Sequence, residues 1–139
     1  MDGYTHLLDT NIVSNLVRHP QGKAAQCLAL VDPYRVCTSL IVVSELRYGV
    51  EKKGSAKLAL QLEKVLAGLD ILPYSTPADF HYGRIRAVLQ RVGQPKGYND
   101  FLIAAHALSL GAILVTDNMG EFGRVPGLRV ENWLDAVRD

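Results

Sequence analysis

The sequence predicts an α/β/α sandwich with a central parallel sheet of four to five strands, formed by a single domain over residues 1–139. Three observations predict it. Strand-like segments alternate with helical ones along the chain, and the turns between them, marked by Gly and Pro, are short. The run Ala112 to Thr116 lacks polar alternation, as in a strand covered on both faces. Strands separated by helices pair in parallel and carry helices on both faces of the sheet.

The N-terminal half predicts two strands and four helices. Residues able to cap a helix follow the first strand at Asp9, and Ser39 offers an N-cap for the third helix, which stops at Gly54. The expected elements are a strand at Tyr4 to Leu8, helices at Ile12 to Arg18 and from Pro20 to about Val31, a strand at Arg35 to Thr38, and helices from Ser39 to Lys52 and at Ala56 to Ala67.

The C-terminal half predicts two further helices and three strands. Pro77 suits the first turn of a helix, and Gly93 and Gly111 mark helix ends. The expected elements are a strand at Ile71 and Leu72, helices from Pro77 to Arg91 and at Tyr98 to Leu110, and strands at Ala112 to Thr116 and around Leu128 to Val130.

Composition excludes several classes of protein. Fifteen Lys and Arg against fourteen Asp and Glu give a net charge of +1, which argues against a polybasic nucleic-acid binder and an acidic tail. Cys27 and Cys37 lack C-x-x-C spacing and follow no signal peptide, so we expect reduced thiols and a cytoplasmic protein. No apolar run approaches the roughly 18 residues that span a bilayer.

Two acids directly follow predicted strands. Asp9 follows the first strand and Asp117 follows the run ending at Thr116. Ligands of open parallel sheets bind beyond the carboxyl ends of the strands, so both carboxylates are expected at one edge. For Asp9 a helix N-cap is an equally open interpretation.

Two further acids lie on predicted helices among residues typical of a core. Asp100 shares its face with Ile103, Ala104 and Ala107, which suggests that this face points inward, although the helix dipole alone also favours an acid in the first turn. Glu45 shares a stripe with Ile41, Ser44 and Tyr48, where a solvated Glu would be expected among charges. An unpaired buried carboxylate is too costly to serve only as packing.

Four carboxylates at one edge indicate a cation. Each pair at about 4 Å would repel by roughly 4 kcal/mol at an effective dielectric near 20. No His or Cys accompanies them at ligand spacing, and oxygen ligands select Mg²⁺, or alternatively Mn²⁺, over Zn²⁺. Such an ion activates water and binds phosphodiester oxygens. Hydroxyl and amide groups beside the acids are either supporting groups or only caps and turns; they are Thr10, Asn11, Ser44, Thr116 and Asn118.

Four blocks of the sequence contain these acids or follow them closely. They are LLDTNIVSNLVR at Leu7 to Arg18, TSLIVVSELRYGVEK at Thr38 to Lys52, YNDFLIAAHALSLGAILVTDN at Tyr98 to Asn118, and EFGRVPGLRVENW at Glu121 to Trp133. Together they resemble a PIN-domain ribonuclease of the VapC toxin type. The resemblance therefore runs over almost the whole chain. The ordered blocks, together with the spacing of the acids, are far more specific than any single Asp.

The resemblance implies a bacterial toxin of a toxin–antitoxin operon that cleaves RNA with Mg²⁺, with tRNA among the possible substrates. It also implies a cognate VapB antitoxin whose C-terminal segment enters the site, a homodimer, and a larger complex with antitoxin. Residue by residue, the family's catalytic and metal-binding acids match Asp9, Glu45, Asp100 and Asp117. Because relatives vary between Asp and Asn at the position of Asp117, Glu121 stays open as the fourth acid.

Cations and aromatic residues near these blocks have two interpretations each. Arg18, Arg47, Lys96 and Arg124 either contact RNA phosphates or are solvated surface charges. Tyr4, Tyr98 and Phe101 either stack on a base or pack in the core.

Two other functions compete with an RNA-cleaving toxin. One is another Mg²⁺-dependent phosphoryl-transfer domain, although the D-x-D motif and the P-loop motif are both missing from the sequence. The other is a PIN-like regulatory module that acts with a DNA-binding partner and cleaves nothing.

Overall fold

The computed structural model describes residues 3–93 and 97–135, and these contain a five-stranded parallel sheet. The strands are β1 (His6–Leu8), β2 (Val36–Ser39), β3 (Asp70–Leu72), β4 (Ile113–Val115) and β5 (Val130–Glu131). Their order in the sheet is β3-β2-β1-β4-β5. The predicted fold class is therefore confirmed, with β1 in the centre of the sheet.

Seven α-helices connect these strands in the described part of the chain. They are α1 (Thr10–Arg18), α2 (Lys23–Leu28), α3 (Leu40–Lys53), α4 (Ala56–Ala67), α5 (Ala78–Arg91), α6 (Tyr98–Leu110) and α7 (Met119–Phe122). No helix among residues 3–93 and 97–135 combines the length and the apolar character that crossing a membrane requires.

Helix boundaries follow the predicted caps closely. The Ser39 hydroxyl accepts the Ile41 backbone N–H at 3.1 Å, which fixes the start of α3. Gly54 and Gly111 end α3 and α6 with φ of +66°, a conformation that a residue with a Cβ rarely adopts.

Some predicted boundaries were wrong. The second helix covers only Lys23–Leu28, because tighter turns follow it, with the Leu30 N–H bonded to the Cys27 carbonyl. The last strand starts at Val130, because the Leu128 N–H closes a turn on the carbonyl of Val125. The short helix α7 was not predicted, since four residues are too few to display a helical period.

The core places the carboxyl ends of the central strands side by side. Leu8 pairs in register with Thr38 on one side and with Val115 on the other. Leu8 and Val115 are fully buried, as are Leu7 and Leu114 one residue earlier. The residues that follow β1 and β4 therefore emerge together at one edge of the sheet, where the Asp9 N–H donates to the Val115 carbonyl at 2.9 Å.

Candidate active site

Asp9 is a buried carboxylate at the carboxyl end of β1, with 5% of its surface exposed. It stands at the N-cap position of α1, yet its side chain makes no capping hydrogen bond. Instead, Oδ2 accepts the Thr116 hydroxyl at 2.7 Å. Asp9 is thus the N-cap residue of α1 by position, but capping does not account for its side chain, because the carboxylate is held by the neighbouring strand end.

Burial raises the pKa of Asp9 above its ordinary value. Hydrogen bonds from the Thr116 hydroxyl and the Thr10 backbone N–H oppose this, and the charges of Glu45 and Asp117 raise the pKa further. A cation beside this carboxylate would favour its charged form and offset the cost of burial.

Asp100 lies in the first turn of α6 and is half-buried. The predicted inward face is confirmed, since Ile103, Ala104 and Ala107 are fully buried. The pKa of Asp100 is raised to about 6, first by burial and then by the charges of Asp9, Glu121 and Glu45. The acid is thus close enough to other carboxylates to be repelled by them.

Glu45 is hydrogen-bonded on both carboxylate oxygens. Oε1 accepts the Thr10 hydroxyl from α1, and Oε2 accepts the Asn99 side-chain amide from α6 at 2.9 Å. The expectation of a core-like stripe was wrong, because Ser44 and Tyr48 on this face of α3 are exposed. The stripe lines an open cleft, and Glu45 is a partnered carboxylate at its wall rather than an unpaired buried one.

Asp117 and Glu121 each act on a different acid of the site. Asp117 is exposed, accepts the Asn11 amide at 2.9 Å, and raises the pKa of Asp9. Glu121 lies in α7, pairs with Arg124 at 3.3 Å, and raises the pKa of Asp100. Both acids therefore act electrostatically on the buried pair.

Four of the five predicted supporting residues contact these acids or their hydrogen-bond donors. Thr10, Asn11 and Thr116 donate to acids, and the Asn118 N–H donates to the Thr116 hydroxyl at 3.0 Å. Ser44 instead donates to the Leu40 carbonyl of its own helix at 2.9 Å. Sequence reasoning missed Asn99, for which the available signal was an amide directly before Asp100 in a first helical turn.

The donor chemistry of the site fits a hard divalent cation. All of the side chains offer oxygen atoms. The charge of Glu45 raises the pKa of Asp9, and the charges of Asp9 and Glu45 raise the pKa of Asp100, a repulsion that a cation relieves. Across the described ranges, no three His, Cys, Asp or Glu side chains converge closely enough to form a ligand set by themselves. Asp9, Glu45 and Asp117 are each held by hydroxyl or amide groups.

Two clefts meet at Thr10 and Glu45. The first, of about 190 Å³, lies between α1, α3 and α4 and is largely apolar. Val17, Leu46 and Leu62 are among its lining residues, and Arg18 and Lys53 supply positive charge. The second, of about 570 Å³, is more open and is lined by Thr10, Ile41, Ser44, Glu45, Tyr48 and Asn99.

The predicted phosphate-binding cations separate into different environments. Arg18 lines the apolar cleft. Arg47 pairs with Glu63 of α4, and Arg124 pairs with Glu121, so both have carboxylate partners. Lys96 lies outside the described residues.

Comparison with known proteins is consistent with this geometry. The PIN domain family matches residues 6–128. Ribonuclease VapC2 of Rickettsia felis is 39% identical over 130 residues, covering 92% of this chain and 97% of that protein. The chain belongs to the VapC family of PIN-domain ribonucleases. As a VapC-family member it is an RNA-cleaving hydrolase.

Further VapC relatives resemble the chain over nearly its full length. The tRNA(fMet)-specific endonuclease VapC of Salmonella typhimurium is 39% identical over 128 residues, covering 91% of this chain and 96% of that protein. The crystal structure of VapBC2 from Rickettsia felis bound to a promoter DNA fragment contains a chain with a TM-score of 0.85 and 36% identity. That match covers 93% of this chain and 98% of the other.

Proposed function

We propose that this chain is the toxin of a VapBC-type toxin–antitoxin pair and hydrolyses RNA with Mg²⁺ held by Asp9, Glu45, Asp100 and Asp117. One observation carries the proposal. The buried Asp9 and the half-buried Asp100, with its pKa raised to about 6, stand together beyond the carboxyl ends of the central strands. Two carboxylates in such an arrangement destabilise the folded state unless a bound cation offsets their charges.

Asp9 and Asp100 would hold the cation directly, and Glu45 and Asp117 would complete its surroundings. A bound Mg²⁺, or Mn²⁺ in its place, lowers the pKa of a coordinated water and stabilises negative charge on a phosphodiester. Asp117 is a better fourth ligand than Glu121, because the Glu121 carboxylate is engaged by Arg124 at 3.3 Å. The hydrogen-bond donor that Asp117 has among the described residues is the neutral Asn11 amide.

The surrounding side chains orient the acids before substrate arrives. Thr116 fixes one oxygen of Asp9, and Asn99 and Thr10 fix the two oxygens of Glu45. Fixed outer partners of this kind orient ligands and strengthen metal binding. In-line attack by water on phosphorus leaves a 5′-phosphate on one product and a 3′-hydroxyl on the other.

The RNA substrate is proposed to include tRNA. The relative from Salmonella typhimurium is named as a tRNA(fMet)-specific endonuclease and matches this chain over 91% of its length. Sequencing RNA ends after a brief induction of the wild-type chain tests this proposal. Ends clustered at one position in a tRNA support it, and ends scattered over messenger RNA exclude it.

The partner is proposed to be a VapB-type antitoxin that occupies the apolar cleft. Structural neighbours include VapBC complexes from Rickettsia felis and Salmonella typhimurium. The cleft combines apolar walls with Arg18 and Lys53, and it leads to the acids at Glu45. It therefore suits a peptide with apolar and acidic side chains followed by a cation directed at the carboxylates.

A non-cleaving regulatory module is the second candidate function. It is favoured by the neighbouring VapBC complexes, two of which are bound to DNA. Induction of the chain alone in bacteria, beside Asp100→Asn, separates the two functions. Growth arrest with the wild type only, relieved by the cognate antitoxin, supports the toxin. Normal growth with both supports the regulatory module.

A further inference from the structure

One exposed tyrosine lines the wider cleft beside the acids, and a second is next in sequence to a residue of its lining. Tyr48 lines this cleft one helical turn after Glu45 and is 67% exposed. Tyr98 begins α6 and is 48% exposed, and the next residue, Asn99, lines the same cleft and holds Glu45. The other predicted stacking residues are engaged elsewhere, since Phe101 is 2% exposed and the Tyr4 hydroxyl donates to Asp70.

The ring of Tyr98 is held on one side by a guanidinium. Arg86 Cζ lies 4.0 Å from the ring centroid, and an Arg86 N–H donates to the Tyr82 hydroxyl at 2.8 Å. Arg86 forms no ion pair with a carboxylate among residues 3–93 and 97–135. Its stacked position orients the Tyr98 ring and leaves guanidinium N–H groups for an anion.

The ring of Tyr48 has no aromatic neighbour in the described part of the chain. An aromatic side chain of this exposure buries little of the surface that usually stabilises a fold. The lining of the cleft around it contains the hydroxyls of Thr10 and Ser44 and the Asn99 amide. The surroundings thus combine hydrogen-bonding groups with a free π face, as sites for unpaired bases do.

We propose that Tyr48 and Tyr98 stack on unpaired bases that flank the cleaved phosphate, and that Arg86 contacts a neighbouring phosphate. This inference rests on the proposed ribonuclease function and assigns the residues that hold the unpaired bases of its RNA. Bases in an A-form duplex are stacked on one another and are therefore not available to stack on these tyrosine rings. The two clefts then have different occupants, because the apolar one on the other side of Glu45 lacks exposed rings.

The test is single-turnover cleavage of two RNAs by the purified full chain with Mg²⁺. One RNA presents a given sequence in a hairpin loop, and the other presents the same sequence in a duplex. The variants are Tyr48→Ala and Tyr98→Ala, with Tyr48→Phe and Tyr98→Phe to retain the ring. Tyr34→Ala is the matched control, because Tyr34 is 87% exposed and lies just before β2, at the opposite edge of the sheet.

Wild type is expected to cleave the loop RNA and to leave the duplex largely intact. Each Ala variant is expected to need about 5- to 100-fold more enzyme for half-maximal rate on the loop RNA, because stacking on one base supplies that range of affinity. The rate at saturating enzyme, the Phe variants and Tyr34→Ala are expected to stay within about threefold of wild type.

Three results would overturn the inference while leaving the ribonuclease intact. They are unchanged affinity in both Ala variants, equal cleavage of loop and duplex RNA, and loss of affinity that sedimentation traces to dissociation of an oligomer. In that last case Tyr48 and Tyr98 would belong to an interface between copies. Failure of the wild type to cleave either RNA with Mg²⁺ would instead count against the proposed function.

Discussion

Replacing Asp100 with Asn is expected to stabilise the metal-free protein while abolishing RNA cleavage. Folding raises the pKa of this carboxyl from 3.8 to about 6, because the site is partly buried and already holds other acids. At pH 7 the group is ionised in both the folded and unfolded chain, so the folded state bears the cost of holding the charge. Asn keeps the shape of the side chain without the charge.

The magnitude follows from the size of the pKa shift. Roughly two pKa units at 1.36 kcal/mol each set a ceiling of about 3 kcal/mol on the destabilisation. Because Asp100 is only half-buried, solvent screening lowers this destabilisation. We therefore expect Asp100→Asn to raise the free energy of unfolding by about 1–2 kcal/mol. In a chain of 139 residues this corresponds to a rise in Tm of about 3–8 °C.

The sign of the pH dependence is also fixed. A carboxyl whose pKa is higher in the folded state binds protons more tightly when folded, so its destabilising effect is absent well below pH 3.8 and complete above about pH 6. The stability difference between Asp100→Asn and wild type should therefore grow as pH rises between these values. Urea unfolding followed by circular dichroism in EDTA, at pH 4.5 and pH 7.5, measures it.

Asp79→Asn is the matched control for this prediction. Asp79 also lies in the first turn of a helix, α5, but it is exposed. Removing its charge should cost about 0.3–1 kcal/mol of favourable helix-dipole interaction, the opposite sign to Asp100→Asn. Mg²⁺ should raise the Tm of wild type and of Asp79→Asn but not that of Asp100→Asn. Equal destabilisation by both substitutions at pH 7.5 would refute the reasoning.

Three further predictions concern the surroundings of the acids. Thr116→Val should lower cleavage about 10- to 100-fold, measured as kcat/KM, because it removes the hydroxyl that orients Asp9, whereas Thr116→Ser should remain near wild type. Asp117→Asn should reduce Mg²⁺ affinity in cleavage assays at least about tenfold and Glu121→Gln less than about threefold; the reverse order would make Glu121 the fourth ligand. At limiting Mg²⁺, cleavage should fall as pH drops through about 6, where Asp100 takes up a proton, and saturating Mg²⁺ should move this midpoint lower. A midpoint independent of Mg²⁺ would contradict that assignment.

Much of the fold was predictable because local signals and long-range packing agree. The bounds of α6 were predicted without error, since its apolar face is continuous and Gly111 supplies the left-handed residue that ends it. The same holds for α4, which a serine cap and Gly68 delimit. The second helix was predicted too long, because its end depends on hydrogen bonds in tight turns that leave no periodic pattern.

The residue types of the site and the edge of the sheet where they lie were predictable, but the hydrogen-bond partners of the acids were not. Asp9 and Thr116 are 107 residues apart in sequence, and their hydrogen bond exists only because β1 and β4 are neighbours in the sheet. The role of Asn99 was not predicted for the same reason, because its amide donates a hydrogen bond to Glu45, which is 54 residues away in sequence. The exposure of Tyr48 depends on which parts of α3 the other elements cover, which apolar spacing does not encode.

Net charge was a poor guide to the partner. The total of +1 argues against a polyanionic substrate, yet four of the fourteen acids belong to the proposed metal site. Acids that bind a cation would cancel surface cations in the sum without repelling RNA. Arg18 and Lys53 line the apolar cleft together with Glu45, so positive charge lies beside this site.

The central claim is that the buried acids recruit a divalent cation to cut RNA. The most direct test is cleavage of total tRNA by purified wild type and Asp9→Asn, first in EDTA and then across a Mg²⁺ titration, with the product ends identified. We predict no cleavage by either protein in EDTA, and cleavage by wild type alone once Mg²⁺ is added, with 5′-phosphate and 3′-hydroxyl ends. Equal cleavage by Asp9→Asn, or cleavage by wild type that EDTA does not change, would contradict the account.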